Sequence, residues 1–306
     1  MQIDDTKDAC LRIEFERLRR GGKQATDEGR LDDALDLYDV CAAHAQALGD
    51  QDLVDLTFGN RCAVLIALGR HDGQIRGLRE ILSRSTDRLN RLVAAYHVAR
   101  IYELRQETRK GLLYTRIARV EYEKRGIPDP YWEANLHNQM GSFLLLGSRF
   151  EEAAAEYRHA LEADPGAAQV RRAVASHNLG YCSLMLGDHR LGLALLYRSL
   201  RFYCRSEVLE YRMQAHLDLC YGLLEIGRNA SARRHAERAL RLAERLASAA
   251  GLKNALYLLG EAEHLLGDDQ RARQCFDRLQ HLFPDTPYLT EMLMAVDIRQ
   301  MINLRA

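Results

Sequence analysis

Apolar residues recur along this chain at steps of three and four, as at Leu256, Leu259 and Leu266 with Gly260 between them, the spacing of amphipathic helices. Between Leu179 and Leu279 the whole pattern returns every 40 residues. LGYCSLMLGDHRLGLALLYRSL comes back as LCYGLLEIGRNASARRHAERAL and again as LGEAEHLLGDDQRARQCFDRL. Leu179, Leu219 and Leu259 align, as do Gly187, Gly227 and Gly267, and Gly192, Ala232 and Ala272. A fixed period of this size predicts stacked helical hairpins, each burying its apolar face against its neighbours alone.

The same template reads the earlier chain. Met140-Gly141, Ala153, Tyr157, Ala160 and Pro165 form a strong copy, and Gly29, Leu31, Ala34 and Tyr38 another. A degraded copy has Gly69 lying 40 residues after Gly29. One more keeps Ala99, Tyr102, Gly111 and Ala118 in register, with Gln106 in place of the turn glycine. The reading is one domain of seven hairpins, over residues 15–48, 55–88, 92–125, 134–167, 173–206, 213–246 and 253–286. A capping helix follows at 287–306, apolar around much of its circumference through Met292, Leu293, Val296, Ile298, Met301 and Leu304.

Each residue type has a physical reason. Gly141, Gly180 and Gly260 let one helix lie close on the next, and Ala153, Ala232 and Ala272 do so from the second helix. Gly187, Gly227 and Gly267 end the first helix in a left-handed conformation that a side chain would strain. Asp129-Pro130 and Thr286-Pro287 predict helix starts, with Pro at the first helical position.

On these residues the chain resembles the tetratricopeptide repeat (TPR) family, in a long-repeat variant. The unit is longer than the family's usual one by about six residues, roughly one and a half to two helical turns. The resemblance covers about residues 15 to 286 and implies an all-α, right-handed α-solenoid of helix-turn-helix repeats. It also implies that the first helix of each hairpin lines a groove for a peptide or protein segment. Mapped onto this chain, that face presents Tyr96, Arg100, Asn138, His177, Tyr181, Tyr221, Tyr257 and Glu261. Tyr181 and Tyr221 lie 40 apart and would stack as a ladder. Tyr rings suit recognition, with apolar area and a polar handle; the alternative is that they serve only to pack neighbouring hairpins. Asn60 and Asn178 match the family's groove asparagine, but Val93, His97, Leu217 and Asp218 stand where a carboxylate clamp would need cations. A chaperone-tail adaptor is thereby disfavoured.

Charge narrows the partner class. Lys+Arg and Asp+Glu number 43 each, so the basic excess of a polyphosphate-binding protein is missing and nucleic acid is disfavoured. The basic stripe Arg234, Arg238, Arg241 and Arg245 is interleaved with Glu237 and Glu244 and reads as a solvated, salt-bridged face. Seven cysteines include no CxxC pair and several occupy small-residue slots, as reduced thiols of a cytosolic protein would. No apolar run is long enough to span a membrane, and the acidic N-terminus does not read as a cleaved signal.

Enzyme motifs are missing: there is no HExxH, GxSxG, P-loop or GxGxxG. The expectation is a non-catalytic interaction scaffold without metal or cofactor, in a bacterial-type cytoplasm and a signalling role. A ligand-responsive sensor acting through a partner output protein is the alternative. The Met-rich segment 288–304 is either a buried cap or a docking face for a partner or second subunit. An enzyme would reveal itself as a buried cluster of perturbed titratable groups.

Overall fold

The computed structural model describes residues 2–206 and 208–305, without the side chains of residues 2–7 and 300. Among the described residues there are fifteen α-helices, one 3-10 turn and no strand. They form two compact units, residues 1–143 and 144–306.

The first unit holds α1 (Gln2–Asp27), α2 (Leu31–Ala47), α3 (Gln51–Ala67), α4 (Gln74–Arg84), α5 (Arg88–Leu104), α6 (Thr108–Arg125) and most of α7 (Pro130–Leu146). Helices pair α1 with α2 and α5 with α6, and each pair packs on the next. Phe15, Leu18, Ala34 and Tyr38 fill the first layer; Leu78, Val98 and Ile101 fill a later one. Burying each such Leu, Ile or Phe contributes about 1.5–3 kcal/mol. Gly111 lies so close to Phe143 that a Cβ there would sit 2.0 Å from the ring. Glu121, almost fully buried, is held by Arg88 at 2.8 Å and Arg91 at 2.9 Å.

The second unit holds the end of α7, then α8 (Phe150–Ala163), α9 (Gln169–Met185), α10 (His189–Tyr203), α11 (Leu209–Glu225) and α12 (Asn229–Arg245). It continues with α13 (Ala249–His264), α14 (Asp269–Gln280) and α15 (Leu289–Ala295). The expected small-residue contacts are present: a Cβ on Gly260 would lie 2.3 Å from the buried Phe276 ring. The turn glycines adopt left-handed φ of 83° at Gly187, 71° at Gly227 and 83° at Gly267. Gln106 takes φ 56° in the same role, and Ser148 also sits at φ 56°. Asp129 caps α7 by accepting from the N–H of Tyr131 at 3.1 Å, with Pro130 as its first residue. The stripe on α12 is solvent-facing as expected; Glu244 of α12 accepts from Arg278 at 2.9 Å.

Two local expectations fail at the C-terminal end. Pro287 does not open a helix: Tyr288 is left-handed (φ 63°) and α15 starts at Leu289. The helix expected through 304 stops at Ala295, where Val296 turns extended (φ −135°, ψ 123°). Asp297 then accepts from the N–H and guanidinium of Arg299, a local link that competes with helix continuation. The apolar residues are therefore divided. Leu293 packs with α15 on α14, Leu304 is buried elsewhere, and Met301 is exposed, so no continuous Met-rich face forms. Among the cysteines, Cys41, Cys62, Cys182 and Cys220 are buried free thiols, while Cys10 and Cys204 are exposed.

Candidate functional site

The segment after α15 returns along the second unit and lies on its first helices. Asn303 is the central anchor. Its amide donates to the carbonyl of Leu145 at 2.9 Å and to Ser148 Oγ at 3.1 Å, while its Oδ1 accepts from Tyr181 Oη at 3.0 Å. Tyr181 Oη in turn accepts the N–H of Leu304 at 3.1 Å, and Asn254 Nδ2 donates to the Leu304 carbonyl at 2.9 Å. Leu145, Tyr181 and Asn254 belong to α7, α9 and α13. Side chains of the first helices thus bond the backbone of the segment, as they would in holding any peptide.

Two arginines fix its register. The Arg305 guanidinium donates to Asp218 of α11 and lies over the Tyr181 ring, 5.1 Å from the centroid. Asp218 is fully buried and has donors on both oxygens: His177 Nε2 at 2.7 Å on Oδ2 and Gln214 Nε2 at 3.0 Å on Oδ1. Burial alone would lift this carboxyl, but Arg305 and the His177 hydrogen bond outweigh it and hold Asp218 below its usual range. Burial lowers His177, more than its bond to Asp218 raises it. A neutral His177 facing an ionised carboxylate must carry its proton on Nε2. Arg299, six residues earlier, pairs with Asp297 at 2.5 Å and stands 3.6 Å from both Glu225 and Glu261. Burial pushes Glu261 up to about 7, with Asp297 adding to the rise and Arg299 and His264 opposing it.

Five of the eight sequence-derived candidates lie in this unit. His177, Tyr181 and Glu261 touch the returning segment directly. Tyr221 is buried, its hydroxyl pushed up to about 12 by burial. Tyr257 is buried too, with no hydrogen-bond partner for its hydroxyl. The expected ring ladder does not form: among the described residues no ring pair joins Tyr181 to Tyr221, and Tyr181 meets Phe150 edge-on at 6.3 Å instead. The period aligned these residues correctly, but each ring follows its own neighbours.

The other three lie in the first unit. Tyr96 packs edge-on against His97 and Trp132 at 5.4 and 5.5 Å. Arg100 donates to Glu103 at 2.6 Å, and the side-chain carbonyl of Asn138 is buried without a partner.

Asn254, Arg299, Asn303 and Arg305 escaped the sequence reading, which named Asp218 only as unsuited to a carboxylate clamp. The signal that could have found them was Asp218 itself, a carboxylate amid Leu217, Leu219 and Cys220. A buried acid in an apolar run requires a cation from elsewhere.

A titratable cluster of the kind an enzyme needs is therefore present, around His177 and Asp218. The Asp218 oxygens in it are met by His177, Gln214 and Arg305.

No family model matches the chain, and no curated protein does. Solved structures do. NprR in complex with its cognate peptide NprX superposes with a TM-score of 0.69 at 11% identity, over 91% of this chain and 81% of that one. A Rap protein complexed with competence and sporulation factor gives 0.63 at 16% identity, over 76% and 66%. A tetratricopeptide repeat protein from Parabacteroides merdae gives 0.52 at 15%, over 94% and 99%. The fold is that of TPR-like helical-repeat proteins. No described helix is long and apolar enough to cross a membrane.

Proposed function

We propose that this chain is a non-catalytic peptide-binding protein that acts through a partner. Its binding face is the row of first helices in the second unit, built on His177, Tyr181, Tyr221, Tyr257 and Glu261. Tyr96, Arg100 and Asn138 would present the corresponding face of the first unit. One observation carries the reading: this row already holds a stretch of polypeptide outside the α-helices through backbone-directed hydrogen bonds and arginine–carboxylate pairs. Similarity of fold to NprR, solved with its cognate peptide NprX, and to a Rap protein, solved with competence and sporulation factor, supports it. The sensor form is favoured over a passive scaffold, because a face occupied by the chain itself can report a ligand by releasing what it held. The cell compartment we assign is the cytoplasm, and no cofactor is invoked.

The test is selection of displayed random peptides on the full chain carrying Asn303→Ala and Arg305→Ala. Enriched peptides should bind with Kd around micromolar, about −8 kcal/mol, and lose about tenfold or more on adding Glu261→Gln and Asp218→Asn. Failure to enrich any sequence, or binding indifferent to the two carboxylates, would remove the proposal.

A further inference from the structure

The returning segment fits its site incompletely. Beside it lies an open cleft of about 390 Å³, lined among others by Asn254, Tyr257, Phe283, Leu293 and Ile302. Along the segment and its contacts, the Tyr257 hydroxyl and Arg305 Nε are buried without hydrogen-bond partners. The cleft stays open to solvent beside the segment and two buried polar groups lack partners, so residues 296–305 leave contacts of this face unmade. Its charged frame is nonetheless specific: Asp218 takes one cation, Glu225 and Glu261 flank another, and Tyr181 supplies an aromatic platform for the first.

Resting on the peptide-binding reading above, we propose that residues 296–305 are a built-in competitor, holding the face closed against a peptide supplied in trans. The ligand class follows from the frame. It is a peptide with two arginine side chains about as far apart as Arg299 and Arg305, and between them an apolar side chain larger than Ile302 that enters the cleft. Such a peptide gains both ion pairs the segment now makes and fills the space the segment leaves. The tethered segment has the advantage of effective concentration, which a short connection sets near the millimolar range. The incoming peptide must therefore offer more contact, and its apparent affinity is reduced by the fraction of chains that are open.

The probe is a fluorescein-labelled synthetic peptide VDIRQMINLR, the sequence of residues 296–305. Anisotropy titrations compare the wild-type chain with Asn303→Ala/Arg305→Ala, which removes the tethered anchors, and with that variant plus Asp218→Asn. Far-UV dichroism confirms equal helix content. Release should tighten probe binding by about tenfold or more, and Asp218→Asn should abolish that gain. Equal affinity for wild type and released chain would overturn the competitor role while leaving the binding face standing. Failure of every form to bind would sink the binding face itself. A second measurement needs no variant: excess unlabelled probe should speed hydrogen exchange at the Leu304 N–H of the wild-type chain. Unchanged exchange with bound probe would contradict displacement.

Discussion

Single titratable residues here pull the stability of the fold in opposite directions with pH. His216 and His235 face each other with their Nδ1 atoms 2.9 Å apart, so one must donate and the other accept, both neutral. Burial lowers His216 to about 3 and His235 to about 4, with arginines such as Arg238 adding to both. The unfolded chain, with ordinary histidines near 6.5, binds more protons below that pH, so this pair loses stability as pH falls from about 6.5. Glu261, lifted to about 7, does the reverse. The folded chain holds its proton between about 4.5 and 7 while the unfolded one has released it, so stability falls as pH rises through that window. Glu261→Gln should therefore abolish only the loss on the alkaline side. Urea midpoints of wild type and variant should converge near pH 5 and separate by pH 8, with the variant higher; a constant gap across the range would show that Glu261 does not titrate there.

At the level of elements, what the sequence disclosed was whatever a residue does for its own hairpin. Gly187, Gly227 and Gly267 announced left-handed turns because only backbone sterics decide that position, and Gly260 announced close helix approach because a ring fills the space. The break at Val296 was not legible. Met292, Leu293 and Met294 keep helical character in the sequence, but the hydrogen bonds of Asn303 and Leu304 go to Leu145, Tyr181 and Asn254, residues no local pattern can point to. Tertiary bonding overrode propensity. The turns also give a clean measurement. Nothing lies within 4 Å of the point where a Cβ on Gly227 would stand, so Gly227→Ala should cost only the left-handed backbone term less the unfolded-state freedom alanine removes, about 0.5–1 kcal/mol net. Ser148 pays that same term at φ 56°, yet its Oγ accepts from Asn303. Ser148→Gly should then gain about 0.5–1 kcal/mol in the backbone and return part of it through the lost hydrogen bond. Thermal melts decide: a destabilised Ser148→Gly would mean the anchor outweighs the strain.

For each unit as a whole, a stack of helix pairs has only nearest-neighbour cohesion, so a local opening should stay local. Segment 296–305 changes that in the second unit, because its bonds reach the end of α7, α9, α11 and α13 at once. Four elements that would otherwise meet only their neighbours share one strap, and the Asp218 carboxylate left behind when Arg305 departs is a buried charge short of its cation. Opening of the strap should therefore loosen α9, α11 and α13 together. Native-state hydrogen exchange on Arg305→Ala tests this: protection should fall in all three helices by a similar factor, about tenfold or more, while α3 and α5 in the first unit keep theirs. Loss confined to α9 and α11, which flank Asp218 and His177, would mean the segment is a local ion-pair partner and not a strap. The distinction decides the kind of signal a peptide could send, since only a strap lets one binding event change the exposure of several helices that a partner could read.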